Sequence, residues 1–351
     1  MRIVQYGVHD PEYPRNARIR AHLVERLGAD VVVLRRPRGG GRVRRALVEF
    51  LRLWRASRGA DAVIVSEFRL THAPVAWLVA RLRGAQLVVD HFVGLHETVV
   101  EDWKRVPAGS VTARRLRAQD ALAARLADVC LTDTEPRADR LGRLHGRPVL
   151  ALPVGAPGWA RPSVRSESEG DTLALLYYGN YLPLHGVGAI VDILTQLAPA
   201  RRFSATFIGS GAERAAVQAA LRARGLIGHC RFVDAVPEAE LGAYIGAADV
   251  VFGVFGDSRK ALDVVPNKVW QGLACGRVTI TGDGPAVRAL QPVVGDQLVI
   301  VDRADPGAAA RVLAAYDGPP ASADEADIRL EDAVRTAYES LAGSLRCGAA
   351  S

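Results

Sequence analysis

The sequence predicts an α/β protein built from two doubly wound, mostly parallel sheets, one in each half of the chain. Three observations carry this. Short apolar runs alternate with helical patterns through the first half; the same alternation restarts after a polar, aperiodic stretch; and 351 residues, 49% of them hydrophobic, suffice for two packed domains. Strands that follow one another through helices pair in parallel, because a parallel pair needs a crossover rather than a tight turn.

The first strand is Arg2-Ile3-Val4-Gln5-Tyr6, and a helix is expected from about Ala17 to Leu27. The loop between them, residues 7–16, lacks the G-x-G-x-x-G pattern that lets a dinucleotide approach a helix start, so no nicotinamide or flavin dinucleotide is expected. It offers Gly7 for close backbone approach, with His9, Arg15 and Asn16 as polar arms. Arg15 and Asn16 could equally do no more than begin the helix. Further strands read at Val31-Val32-Val33-Leu34, Ala62-Val63-Ile64-Val65, Leu87-Val88-Val89, Val129-Cys130-Leu131 and Val149-Leu150-Ala151-Leu152.

A basic run, Arg35, Arg36, Arg38, Arg42, Arg44, Arg45, Arg52, Arg55 and Arg58, is threaded by Val43, Leu47, Phe50, Leu51 and Trp54 at helical spacing. This is a basic amphipathic helix. Its expected arrangement packs the apolar stripe on the sheet and leaves the arginines in water. The alternatives are an anionic membrane surface or nucleic acid, and no RNA-binding or helix-turn-helix signature supports the second.

The loop Asp90-His91-Phe92-Val93-Gly94-Leu95-His96-Glu97-Thr98 places two histidines and two carboxylates at a strand carboxyl end. They suit substrate hydroxyls or proton transfer, or hydrogen bonds that tie the loop down. A metal is not expected there, since no third ligand is evident. Residues Ser163 to Asp171 are polar and aperiodic, and read as an interdomain linker.

The second half opens with Leu173-Ala174-Leu175-Leu176-Tyr177-Tyr178 and the turn Gly179-Asn180-Tyr181-Leu182-Pro183-Leu184-His185-Gly186, followed by a helix. Next come the strand through Ala205-Thr206-Phe207-Ile208, whose Gly209-Ser210-Gly211 lacks a third glycine, and Arg231-Phe232-Val233-Asp234 with Ala235-Val236-Pro237. Ala248-Asp249-Val250-Val251-Phe252 and Arg277-Val278-Thr279-Ile280-Thr281 are two more strands, joined by residues 253–276 as a loop and a helix. Loops of this kind, at strand carboxyl ends, are the usual ligand site of an open α/β sheet. Pro266 fits the helix's first turn and Gly276 its end, so the helix N-terminus points into a loop carrying Arg259, Lys260 and Asp263, where an anion is favoured. The chain has only three lysines, Lys104, Lys260 and Lys268, and two of them fall in this one stretch. A helical pattern from Ile328 to Leu345 ends the chain.

The net charge of +7 suits an anionic partner without choosing among a nucleotide, a phospholipid surface and a nucleic acid. Cys130, Cys230, Cys275 and Cys347 form no C-x-x-C pair, which argues for neither zinc nor a disulfide framework. No apolar run approaches the ~18 residues of a membrane span, and a cytoplasmic location is expected, with the inner face of the membrane as its variant.

In order, the segments Tyr178-Gly179-Asn180-Tyr181-Leu182-Pro183-Leu184-His185-Gly186, Phe207-Ile208-Gly209-Ser210-Gly211, Phe232-Val233-Asp234-Ala235-Val236-Pro237, the run from Ala248 to Gly256 and Pro266-Asn267-Lys268-Val269-Trp270-Gln271-Gly272-Leu273-Ala274-Cys275-Gly276 resemble the sugar-nucleotide domain of the large retaining GT-B glycosyltransferase family four. Tyr13-Pro14-Arg15-Asn16, and Asp90 with the loop into Glu101-Asp102, are similar to one branch of that family. The likeness covers nearly the whole chain. It implies two Rossmann-like domains facing a cleft: an acceptor-side domain, 1–162; the linker, 163–171; a nucleotide-sugar domain, 172–322; and a segment, 323–351, whose helix packs back on the first domain. It implies a retaining transfer from a nucleotide-diphosphate sugar to a hydroxyl acceptor, small molecule, glycan or lipid-linked, with no nucleic acid as partner.

The family's two glutamates, eight positions apart, fall on Asp263 and Gln271, and its diphosphate-binding Arg and Lys fall on Asn180 and His185. Asp263 keeps the charge with a shorter reach, and Gln271 keeps an acceptor oxygen but cannot be a base. Lys260, Lys268, His185 and the helix N-terminus, with Gly179, Arg259, Pro266 and Asn267 around them, are then expected to hold the diphosphate; Gln271 the ribose; backbone near Val236 the base; and Asp263 the sugar. His91, His96 and Glu97 line the acceptor or sugar side. No cofactor or metal is required on this reading, since the nearest carboxylate pair, Asp133-Thr134-Glu135, is expected to start a helix. Other readings are a sugar-nucleotide epimerase of the same fold, a nucleotide-sugar-binding protein with little turnover, and a peripheral membrane or nucleic-acid binder.

Overall fold

The computed structural model describes residues 1–36, 41–163, 172–320, 323 and 325–349, without the side chains of Arg42 and residues 346–349. Arg38 and all of the expected linker beyond Ser163 lie outside the described residues. Contacts divide the chain into two compact units, Met1–Val154 with Val334 onward, and Gly155–Ala333.

The first unit runs β1 (Arg2–Val8), α1 (Pro14–Leu27), β2 (Asp30–Arg35), α2 (Arg42–Ala56), β3 (Ala62–Val65), α3 (Ala73–Arg83), β4 (Gln86–Asp90), α4 (Val111–Leu126), β5 (Val129–Thr132), α5 (Glu135–His145) and β6 (Val149–Ala151). Its six strands are ordered β2-β1-β3-β4-β5-β6, every pair parallel. A parallel sheet covered on both faces buries both sides of its strands, which is why β3 reads as the unbroken run Ala62-Val63-Ile64-Val65. Val4, Val63, Val65, Leu87 and Val89 pack there against Leu53 of α2 and Ala76 and Val79 of α3.

The second unit runs β7 (Leu173–Tyr178), α6 (Val187–Leu197), β8 (Phe203–Ile208), α7 (Arg214–Ala223), β9 (Cys230–Val233), α8 (Glu238–Gly246), β10 (Val250–Phe252), α9 (Arg259–Asp263), α10 (Asn267–Ala274), β11 (Val278–Gly282), α11 (Pro285–Val294), β12 (Leu298–Val301) and α12 (Pro306–Ala314). Its strands are ordered β12-β11-β10-β7-β8-β9, again all parallel. The order reverses between β7 and β10, the switch point at whose carboxyl ends open sheets bind ligands. Helix α13 (Ala326–Ala349) begins in this unit and ends in the first, where the Tyr338 hydroxyl donates to the Pro153 carbonyl (3.2 Å) and Arg26 pairs with Glu339 (2.6 Å).

The predicted fold class is the one observed, with local corrections. Helix α1 starts at Pro14, three residues early, because proline's fixed φ suits a first helical position. Residues 259–263 are not loop but the short helix α9, begun by Ser258, whose Oγ accepts from the Ala261 amide (3.2 Å). Pro266 stands just before α10 as its extended cap residue, not inside the first turn. Of the apolar stripe of α2, Trp54 packs against the core, whereas Val43, Leu47, Phe50 and Leu51 are exposed and Glu49 and Leu53 turn inward instead. Among the described residues no helix is long and apolar enough to cross a membrane.

Candidate functional site

At the β7/β10 switch point, α10 lays two side chains one turn apart against the end of β7. Lys268 Nζ sits 4.4 Å from the centroid of the Tyr177 ring, and Gln271 Oε1 accepts from the Tyr178 hydroxyl (2.8 Å). Spacing of three residues puts both on one helix face. Lys268 is buried, and its Nζ has no hydrogen-bond partner among the described residues; burial pulls its pKa down from 10.5 to about 7. His185 shares a 2.8 Å hydrogen bond between its Nδ1 and the Tyr177 hydroxyl. Burial, and then the charge of Lys268, lower its pKa to about 2, so the imidazole is neutral.

Backbone closeness holds this group in place. Gly179 has φ +145°, and a Cβ there would lie 2.8 Å from His185 Cε1 and 3.1 Å from Lys268 Nζ. Across from it, a Cβ on Gly209 (φ +117°) would come within 2.0 Å of the Gly179 carbonyl oxygen. The glycines of Gly209-Ser210-Gly211 thus let two strand-end loops touch, a use unrelated to dinucleotides. The 183–186 turn is sewn to the loop after β10 by the Phe255 amide donating to the His185 carbonyl (2.9 Å) and Gly256 to Leu184 (3.2 Å).

The structure therefore brings Gly179, His185, Lys268 and Gln271 together. Asp263 is buried at the end of α9, Lys260 is half-buried and Arg259 exposed on the same helix; Asn180 and Asn267 are exposed, Pro266 and Val236 half-buried. Sequence reasoning missed Tyr177, whose ring lies under Lys268 and whose hydroxyl bonds His185, and Arg303. Arg303 follows β12, a strand the sequence reading did not single out. Its guanidinium donates to the carbonyls of Gly256 (2.5 Å), Ala261 (3.1 Å), Gly282 (3.0 Å) and Asp283 (2.6 Å), tying α9 to the loops after β10 and β11.

In the first unit, Arg15 neither caps α1 nor reaches outward. Fully buried, it makes a two-pronged pair with Asp90 (2.8 and 2.8 Å) and donates to the carbonyls of Leu152 (2.5 Å) and Thr132 (2.9 Å), joining α1 to the ends of β4, β5 and β6. Asn16 donates to Glu67 (2.8 Å) and accepts from Gln5 (3.2 Å). Glu67, another residue the sequence did not flag, is held by burial, and then by Asp90, at a pKa of about 7. Gly7 lies under Arg69, whose Cγ would be 2.8 Å from an added Cβ.

The expected 90–98 loop is shorter than predicted, for the chain turns helical at Leu95 and makes a π-helix over Glu97–Asp102. Such wide turns recur at functional sites. The Glu97 carboxylate is taken by Arg137 (2.8 Å) and Arg140 (2.7 Å), and His96 lies between Glu101 (3.1 Å) and Arg117 (3.2 Å). These contacts, two on each residue, make His96 and Glu97 parts of a framework. His91 differs: buried, with neither ring nitrogen partnered among the described residues, it has a pKa lowered to about 4, chiefly by burial and next by Arg137. Asp133 is engaged by Arg137 (2.5 Å), and Glu135 opens α5.

No protein-family model matches the chain, and no curated protein matches it in sequence. Solved structures do match in fold. HepE of Anabaena, solved with UDP and glucose, is 14% identical over 99% of this chain and 100% of its own, with a TM-score of 0.68. Sucrose-phosphate synthase of Thermosynechococcus elongatus is 16% identical over 99% and 97% (TM-score 0.67), and the lipopolysaccharide outer core galactosyltransferase WaaB 11% over 99% and 99% (TM-score 0.65). At these identities the likeness is one of architecture: the chain has the GT-B fold.

Proposed function

We propose that the protein transfers a glycosyl group from a nucleoside-diphosphate sugar to a hydroxyl acceptor, with retention of configuration and without a divalent metal. The observation that carries this reading is Lys268 Nζ, a buried amine with no partner among the described residues, at the switch point of a parallel sheet and beside Gly179 and His185. An unpaired buried ammonium is costly until an anion arrives. The UDP bound by a fold neighbour supports a nucleoside diphosphate as that anion.

As the bond between the sugar's anomeric carbon and the diphosphate breaks, negative charge grows on the phosphate oxygens. Lys268 and the amides at the start of α10 stabilise it. In the tautomer protonated on Nε2, His185 accepts from Tyr177 at Nδ1 and serves as a neutral donor to the same oxygens. Arg259 and Lys260 on α9 add positive charge, and Asp263 holds sugar hydroxyls. Gln271, its oxygen engaged by Tyr178, offers its amide N–H groups to the ribose, while backbone at Val236 serves the base. The acceptor hydroxyl attacks from the face the diphosphate leaves and gives its proton to the departing phosphate, with His91 on the acceptor side.

Titration calorimetry with UDP, ADP, GDP and dTDP tests the reading. One of them should bind, and Lys268→Ala should weaken it by ten- to a hundredfold, in keeping with ~1.5–3 kcal/mol for a charge-assisted bond. No binding by any of them, or an unchanged variant, overturns the assignment. Tight binding without release of nucleotide from the matching sugar donor favours a binding protein instead.

A further inference from the structure

Helix α2 presents a face that nothing among the described residues covers. Val43 is 83% exposed and Leu47 57%, while Phe50 and Leu51, with Val75, Leu78 and Leu82 of the adjoining α3, lie between 36% and 64%. At helical spacing Phe50, Val43, Leu47 and Leu51 occupy an arc of about 100°. The next arc holds Arg44, Arg55, Arg52 and Arg45, all exposed, and the remaining one turns Glu49 and Leu53 inward. None of those four guanidiniums has an ion-pair partner among the described residues. Phe50 stacks on Trp54 (6.3 Å, 17°), and Arg83 lies 3.7 Å from the Trp54 ring centroid, which packs the aromatic edge of the patch together.

Exposed apolar side chains clustered on this scale mark an interaction surface. Its chemistry selects among occupants. Nucleic acid would take the arginines but leave Val43, Leu47 and Leu51 facing polar backbone. A second copy of the chain would set one row of unpaired arginines against another. An anionic bilayer satisfies both arcs at once, its headgroup phosphates pairing the arginines and its acyl boundary receiving the apolar residues. We infer that the exposed face of α2 and α3 is a docking surface for anionic lipid, with α2 lying in the headgroup plane. This does not depend on the transfer reaction proposed above.

The test is flotation of the full chain with vesicles of phosphatidylcholine alone and of phosphatidylcholine with phosphatidylglycerol. Binding should appear only with phosphatidylglycerol and weaken with salt. Each basic residue near an anionic surface contributes about fivefold in partitioning. Arg52→Glu with Arg55→Glu should therefore cut it at least ~25-fold, whereas the charge-matched Arg222→Glu with Arg231→Glu, on the second unit, should have little effect. Leu47→Glu with Leu51→Glu should abolish it while the circular dichroism spectrum and melting temperature stay unchanged, because both positions are exposed. The inference is overturned by absence of flotation, by equal losses in the control pair, by tighter retention on single- or double-stranded oligonucleotides than on vesicles, or by a dimer in light scattering that Leu47→Glu dissociates.

Discussion

Replacing Lys268 by methionine removes the buried amine at nearly constant shape, and its effect on stability has a sign and a pH window. Burial takes the pKa from 10.5 to about 7, and each unit corresponds to 1.36 kcal/mol, so keeping the ammonium inside costs the folded protein roughly 5 kcal/mol below pH 7. Between pH 7 and 10.5 the unfolded chain binds more protons than the folded one, so wild-type stability rises with pH across that window. Lys268→Met should thus be the more stable protein at pH 7 and below, by several kcal/mol, and most of that advantage should fade by pH 10.5. A diphosphate restores the charged amine, so nucleotide affinity of the wild type should fall by up to tenfold per pH unit above about 7. The variant should bind weakly, with no such slope. Urea unfolding and calorimetry over this range measure both effects. Parallel pH profiles for the two proteins would refute the reasoning, because they would mean that Lys268 is charged and compensated without ligand.

Three further outcomes are expected. His91→Ala should lower turnover by about five- to a hundredfold, the range for a lost buried hydrogen-bond partner to the acceptor, while leaving nucleotide affinity nearly unchanged in calorimetry; equal loss of both would place the donor in the first unit. Gly209→Ala, whose Cβ would meet the Gly179 carbonyl at 2.0 Å, should cost about 1–3 kcal/mol in backbone strain and weaken nucleotide binding as the Gly179 loop shifts, measured by denaturant titration and calorimetry. Arg15→Ala leaves Asp90 buried and unpaired, and should destabilise the first unit by about 3–5 kcal/mol in urea without touching the nucleotide site.

The strands were legible because a two-faced parallel sheet writes each of them as a run of apolar residues: β3 and β7 came out with their observed limits. The scarcity of lysine pointed to Lys268 before any contact was known. What stayed hidden was pairing over distance. Arg15 and Asp90 are 75 residues apart, and no local pattern says that an arginine in a first helical turn will meet a carboxylate at the end of another strand. Arg303 escaped for a related reason, since its role exists only through carbonyls of loops after two other strands. The α2 stripe failed differently. Helical spacing reveals that an apolar arc exists, but which arc faces the sheet is decided by the neighbours of Glu49 and Leu53. The buried glutamate ion pairs and the use of glycines as loop contacts likewise depend on tertiary approach, not on spacing.

The most direct measurement is product formation in excess EDTA: the nucleoside-diphosphate sugar whose nucleotude binds is supplied with hydroxyl acceptors, and nucleotide release and the anomeric proton of the glycoside are followed by NMR. Full activity without metal, a product of unchanged anomeric configuration and a Lys268→Ala variant slowed by ten- to a hundredfold are predicted. Activity abolished by EDTA and restored by magnesium or manganese, or an inverted product, would contradict the account.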